Sequence, residues 1–449
     1  MVVTRARNRA ARIKAEEGPF RILDLPPELV ELVFEQLAER SPHTLLDARR
    51  ACRTFQAHSI VAFGTTYFEH VDAMLHPLSL TVLLEIATHC QLSKFVRNVT
   101  ISGERIGGIV DLSGQDDEQK LKDLQTSMEQ SGLDHLVLSD VFRKLPNLKT
   151  VRIDNDSFFF DDETVAAARC GRKYIVAENT VRELDYDEYG FNRAFGVVFS
   201  CLRKAGLAGK VDINIQANIT DQALQYHDFF DPTSDDWNKY FGTRVKSIKL
   251  SRNLSSSWSL DLLKSVPNLQ KLDIFIAEGI LQFSHPDTGL FLWPDLQHLE
   301  LDDASCPAHT IIDFLDAHRG TIRILRLQGL ELIDGSWRQP LQIIRSMPEL
   351  EYMYICDLNE RTRPAVFGLP FERFYDVYEH WLYIIELDTR TEICVAIDAI
   401  LYDYRPMQFK NYVGDPPVYR LDFRFAHAVL EGKAERYGTE RNITGGQGG

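Results

Sequence analysis

Cys306-Pro-Ala-His309 sets a thiol and an imidazole three residues apart, two donor types that a zinc ion takes. A zinc site needs four ligands, and nothing near these two completes the set. The pair reads instead as a buried cysteine at the start of a helix. Asp302-Asp303 and Asp235-Asp236 are adjacent acids, the raw material of acid–base or cation chemistry. Both fall between apolar stretches, where they read as solvated turns and helix caps. Asn442-Ile-Thr444 has the spacing of a glycosylation acceptor. The chain holds no Gly-x-Gly-x-x-Gly, no phosphate loop ending in Gly-Lys-Ser/Thr and no Gly-x-Ser-x-Gly elbow. No catalytic residue, cofactor or metal is expected, and the chain is not expected to be an enzyme.

Composition points the same way. The 449 residues leave room for two or three domains or one extended repeat array. At 44% apolar and 26% charged, usage is that of a folded protein rather than a disordered one. The net charge of −15 argues against a nucleic-acid partner. Seven cysteines, an odd number without a Cys-x-x-Cys, suit a reducing compartment. No stretch is apolar enough for a membrane span, and no apolar signal core follows Met1. A cytoplasmic or nuclear location without a membrane partner is therefore expected. Residues 1–15 reverse the overall charge, carrying Arg5, Arg7, Arg9, Arg12 and Lys14 and no acid. They read as a solvated basic arm, with a nuclear import signal or an organelle transit peptide as sharper alternatives.

The elements become legible from residue 22 onward. Pro26 and Pro27 set φ for a first helical turn, and Glu28 adds negative charge where the helix dipole favours it. Leu29, Val33 and Leu37 recur every four residues, flanked by Val30, Leu32 and Phe34. Ser41-Pro42 signals a second helix start, after which Leu45, Leu46, Arg49, Cys52 and Phe55 follow at helical spacing. This apolar surface is more than about 40 residues can bury among themselves.

The order Leu-Pro-x-Glu-Leu, an apolar helix ending at Leu37, and then Leu-Leu-x-x-Arg-x-x-Cys-Arg-x-Phe resembles the F-box over residues 20–60. That resemblance implies a three-helix module docking on the Skp adaptor of a cullin–RING ubiquitin ligase. It also implies that Leu25, Pro26, Glu28, Leu29, Val33, Phe34 and Leu37 meet the adaptor. Leu45, Leu46 and Cys52 would divide between docking and internal core, which accounts for Cys52 better than a nucleophile would. The Glu39–Thr44 connection departs from the pattern, lacking the acid often found before the Leu-Leu pair.

Beyond a helical linker at 61–94, marked by Leu78, Val82, Leu83 and Ile86 with Ser79 as its cap, a phrase repeats. Val-Pro-Asn-Leu-Gln-Lys-Leu-Asp-Ile (266–274) recurs at 293–301, 320–327 and 347–355, a period of 27. Earlier copies stand at 145–153 and 244–250, and a fainter one at 96–101. Each phrase ends in two alternating apolar residues, a short strand, and each follows an apolar stripe at helical spacing. One strand and one helix cannot bury their faces alone, so copies must stack. The pattern resembles an irregular leucine-rich repeat. The fold expected is thus α/β: a small all-helical module, then a solenoid with parallel strands on the concave side and helices on the convex side. Its limits are 95–436, with insertions at 154–243, where Phe158–Phe160 reads as an aromatic plug, and a cap from about 360. Residues 1–19 and 437–449 are the arm and the tail.

The two resemblances together describe a substrate-receptor subunit, which also reaches cullin and RING subunits through the adaptor and holds a protein target on the repeats. An adaptor-bound scaffold outside any ligase is the alternative. If Leu272 and Ile274 face the core, alternation sends Lys271 and Asp273 to the concave face. The same step exposes Thr150, Arg152, Ser247, Lys249, His298, Glu300, Arg326, Tyr352 and Tyr354 as the expected target-binding set. Arg152, Lys249, Asp273, Glu300, Arg326 and Tyr354 are expected to form one row of mixed sign.

Overall fold

The computed structural model describes residues 22–106, 115–154, 168–175, 188–219, 231–252, 257–276, 280–285, 289–356, 358–360, 372–375, 381–387 and 389–402. The basic arm, Phe158–Phe160, Asn442–Thr444 and the C-terminal tail lie outside them.

Among the described residues four α-helices follow a 3-10 turn at Ile22–Asp24: α1 (Pro27–Arg40), α2 (Pro42–Ala51), α3 (Arg53–His58) and α4 (Ile60–Phe68). Pro26 and Ser41 are the N-cap residues of α1 and α2, each followed by a proline whose missing N–H costs a first turn nothing. Val30, Phe34, Leu45 and Ala62 are buried between the helices, with Leu25, Leu37, Ala48, Phe55 and Phe63 packed around them. Phe34 and Phe55 meet edge to face at 5.3 Å, the geometry that ring quadrupoles favour. Arg49 lies over the Phe63 ring at 3.9 Å and donates to the Ser59 hydroxyl at 2.8 Å, tying α2 to the α3–α4 corner.

The sheet begins earlier than the phrase count implies. The segment expected to be wholly helical contains β1 (His70–Met74), which pairs in parallel with β2 (Asn98–Ser102). Between them runs α5 (Pro77–Thr88), carrying the expected stripe. Its cap is His76, whose Nδ1 accepts from the Leu78 N–H, because Pro77 fixes the first turn ahead of Ser79. Ser79 is buried and accepts from the Met74 N–H at 3.0 Å instead. Then come α6 (Gln115–Ser131), α7 (Leu133–Lys144), β3 (Thr150–Asp154), the short edge strand β4 (Ala168–Arg169), α8 (Arg172–Ile175), α9 (Glu188–Lys204) and β5 (Asp212–Ile219).

The regular repeats run from α10 (Asp235–Tyr240) and β6 (Val245–Arg252) through α11 (Ser257–Lys264) and β7 (Lys271–Phe275). A small hairpin, β8 (Ser284–His285) with β9 (Gly289–Leu290), precedes β10 (His298–Asp302). Next are β11 (Ser305–Cys306), α12 (Ala308–Ala317), β12 (Ile324–Gln328), β13 (Glu331–Leu332), α13 (Arg338–Ser346), β14 (Tyr352–Cys356) and β15 (Asn359–Glu360). With β16 (Glu372–Tyr375) and β17 (Trp381–Leu387), the order in the main sheet is β16-β17-β14-β12-β10-β7-β6-β5-β3-β2-β1-β4, parallel from β4 to β14. Leu272, Leu299, Leu325 and Met353 stand in register as one row, and Ile274, Leu301, Leu327 and Ile355 as the next. All eight are buried against the helices, joined by Leu262 and Leu263 of α11, Ile311, Phe314 and Leu315 of α12, and Leu341 and Ile344 of α13. This is the expected solenoid, with strands on one side and helices on the other.

Each strand must then turn away without breaking the stack. Asp303 and Gly329 do so at equivalent places, with φ of 49° and 59°, a left-handed region that glycine and, less often, aspartate tolerate. Their N–H groups bond the Gln328 and Cys356 carbonyls of the following repeat, both at 3.0 Å. The far end closes with β16 (Glu372–Tyr375) and β17 (Trp381–Leu387), antiparallel to β14, and with α14 (Arg390–Tyr402). Asp398 of α14 pairs with Arg345 of α13, and Ile393, Ala396 and Ile397 complete the core. A reversed strand covers an edge that a further parallel copy would otherwise extend.

Candidate interaction surfaces

The 100° step of a helix divides the apolar arc of α1 in two. Val30 and Phe34 turn inward, and Phe34 is only 2% exposed. Leu29, Leu32 and Val33 turn outward and stay 45%, 52% and 39% exposed. Three large apolar side chains at i, i+3 and i+4 form one patch, bordered by the exposed Pro26, Pro27 and Glu28.

Of the residues expected to meet an adaptor, Pro26, Glu28, Leu29 and Val33 are therefore on the surface. Phe34 is not: it is the centre of the bundle, so its expected surface role is corrected. Leu37 is half-buried and packs on the bundle core, as does Leu25, while Leu45 is fully buried. Leu46 is half-buried, and so is Cys52, which caps α3 by accepting from the Phe55 N–H at 3.5 Å. Leu32 is the patch member missing from the expected set, although its place three residues after Leu29 was readable.

The second surface is the helix-free face of the main sheet. One row crosses it as Lys249, Asp273, Glu300, Arg326 and Tyr354. The neighbouring row is Ser247, Lys271, His298, Ile324 and Tyr352. Arg152 belongs to this second row, through Asn214, and not to the first as expected. The partner of Lys249 is Gln216, two residues further along β5, a register that no single-strand alternation can reveal.

The charges of the first row are matched to one another. Lys249 Nζ is 3.5 Å from Asp273 Oδ2, and Arg326 Nε is 3.5 Å from Glu300 Oε1. Glu300 also lies 3.6 Å from His298 Nε2, and the Arg326 guanidinium sits 4.8 Å above the Tyr354 ring. Arg152 pairs with the fully buried Asp154 at 2.5 Å and donates to Gln216. Burial pushes the Asp273 carboxyl above the ordinary carboxylate range, with Lys249 pulling it back. Glu300 is held below that range by His298 and then by Arg326.

Asp302 corrects another expectation. It is not a solvated loop acid but the last residue of β10, half-buried, with Oδ1 out of hydrogen-bond reach of the described residues. Burial, with Asp303, Glu300 and Asp273 nearby, pushes its carboxyl up to about 6 from an ordinary 3.8. The folded chain thus holds this proton more tightly than the unfolded one, so ionisation weighs against folding above pH 6 and that weight lifts as pH falls toward 4. Asp302→Asn is expected to stabilise the protein by about 1 kcal/mol at neutral pH, after screening at a half-exposed site, and to add nothing near pH 4. Urea unfolding at the two pH values checks it, and an equal gain at both removes the explanation.

The remaining acid pair is placed as a cap. Ser234 accepts from the Trp237 N–H at 3.3 Å, and Asp235 and Asp236 occupy the first turn of α10, with Asp236 paired to Arg203. Cys306 is buried in β11, which pushes its thiol up to about 12, whereas His309 is exposed on α12. Among the described residues no helix is long and apolar enough to cross a membrane.

No protein-family model matches the chain, and no curated protein does. Among solved structures the chain is similar to one in the crystal structure of the Rad7 and Elc1 complex in yeast. The identity is 12%, over 78% of this chain and 85% of that one, with a TM-score of 0.28.

Proposed function

We propose that the chain is the target-recognition subunit of a Skp–cullin–RING ubiquitin ligase, docking on the adaptor through α1 and binding a protein through the sheet. The observation that carries the reading is the outward patch of Leu29, Leu32 and Val33, standing on a Leu-Pro-x-Glu-Leu helix start. A bundle whose first helix buries one half of its apolar arc and presents the other is built to be covered by a partner. Lys249, Asp273, Glu300, Arg326, Tyr352 and Tyr354 then serve as the target face. The chain itself makes and breaks no bonds. It raises the local concentration of a target beside a transfer site that other subunits carry, turning a bimolecular encounter into a nearly intramolecular one.

Affinity purification of the full chain tests this. The Skp adaptor, cullin and RING subunits are expected in the wild-type eluate. Adaptor without cullin would instead favour a scaffold outside any ligase, and absence of the adaptor would remove the reading.

A further inference from the structure

We infer that Gly64 is a positioning residue, which locks the helical bundle to the repeat sheet so that adaptor and target are carried on one rigid body. The inference rests on the ligase reading above and deepens it.

Gly64 lies in the middle of α4, where glycine weakens a helix by about 1 kcal/mol relative to alanine. Its backbone gives no reason for that choice, because it is not among the residues with positive φ. Its surroundings do. A Cβ at this position would stand 2.5 Å from Cγ and Cε2 of Phe95, well inside van der Waals contact. Phe95 belongs to the sheet side: it closes the 3-10 turn Leu92–Lys94 and immediately precedes Val96, which is buried in the sheet core. The helix backbone of one part thus rests directly on a ring of the other.

Two further contacts fix the same joint. Phe63 packs on the bundle core and Phe68 on the sheet core, and the two rings meet edge to face at 5.3 Å. Glu69 alone separates α4 from β1. Its carbonyl accepts from the N–H groups of Arg97 at 3.1 Å and Asn98 at 2.9 Å, and its carboxylate lies 3.5 Å from the Arg97 guanidinium. A joint with a one-residue connection, satisfied backbone groups and a ring pressed on a bare helix surface has no slack. The span from the α1 patch to the sheet face is then set by packing rather than by a linker.

The test compares full-length wild type, Gly64→Val, and Gly64→Val with Phe95→Ala, which vacates the space the valine needs. Genetically encoded spin labels at Gln36 and Arg319 report the bundle-to-sheet distance. Wild type is expected to give one narrow distribution, Gly64→Val a broadened or shifted one, and the double variant a return toward wild type. A wild-type distance distribution in Gly64→Val, or no recovery in the double variant, overturns the inference. Where Gly64→Val does not fold, a Gly-Ser-Gly-Ser insertion after Glu69 loosens the same joint and is expected to broaden the distance distribution, and an unchanged distribution overturns the inference. Failure of wild type to retain the adaptor would sink the ligase reading alone, since the distance measurement stands without it.

Discussion

Leu29→Asp with Val33→Asp abolishes retention of the Skp adaptor while the chain stays folded; that is the expected result if α1 presents a docking face. Both side chains are substantially solvent-exposed in the free protein, so replacing them removes little from the bundle core. Leu29 is the third residue of α1, where a carboxylate is favoured by the helix dipole, so the helix itself is not penalised there. The interface loses two apolar anchors and gains two charges that would have to be desolvated, which at an interface centre amounts to several kcal/mol, or about a thousandfold in affinity. Phe34→Ala is the contrasting variant. It empties a site packed against Phe55 and costs about 3–5 kcal/mol, enough to melt a bundle this small. Both variants lose the adaptor, but only Phe34→Ala loses helical signal and thermal stability. Adaptor binding that survives in a folded Leu29→Asp/Val33→Asp chain would place the docking face elsewhere.

The contrast between Leu29 and Phe34 marks where a sequence stops being legible. Spacing shows that α1 is apolar around much of its girth, but neighbouring helices decide which half is covered. Phe34 turned inward because Phe55, from another helix, supplies an edge for its ring. The later phrases are readable because an apolar residue and two alternating apolar positions recur at nearly even intervals, led by a proline in all but the phrase of β12, and β7, β10, β12 and β14 lie where those phrases end. β1 escaped because His-Val-Asp-Ala-Met has no such lead-in, and it follows α4 after a single residue. Arg152 stands in a different row for a different reason. Alternation assigns a residue to a face, whereas its row depends on cross-strand register: Arg152 meets Asn214, which pairs with Ser247, while Lys249 pairs with Gln216.

That register also changes how the target face must be tested. Reversing Lys249 alone would leave Asp273, whose side chain is only 10% exposed, facing a new acid instead of its cation. A partly buried charge without its partner costs stability on its own, so lost binding would say nothing about recognition. Swapping the partners avoids this. Lys249→Asp with Asp273→Lys, and Glu300→Arg with Arg326→Glu, keep each pair and the net charge while inverting the pattern that a partner meets. The Glu300–Arg326 swap is expected to unfold within about 1 kcal/mol of wild type, because a partly exposed pair contributes little whichever way it points, whereas the Lys249–Asp273 swap loses more by setting the lysine at the buried end. If the target reads this row, its affinity falls by about 2 kcal/mol or more in each swap, roughly thirtyfold. Tyr352→Ala with Tyr354→Ala, at the end nearest the cap, is expected to cost a similar amount through lost aromatic anchoring. Isothermal titration with the captured target checks all three. Unchanged affinity across the set would move recognition off the helix-free face, to the loops or the β16–β17 end of the solenoid.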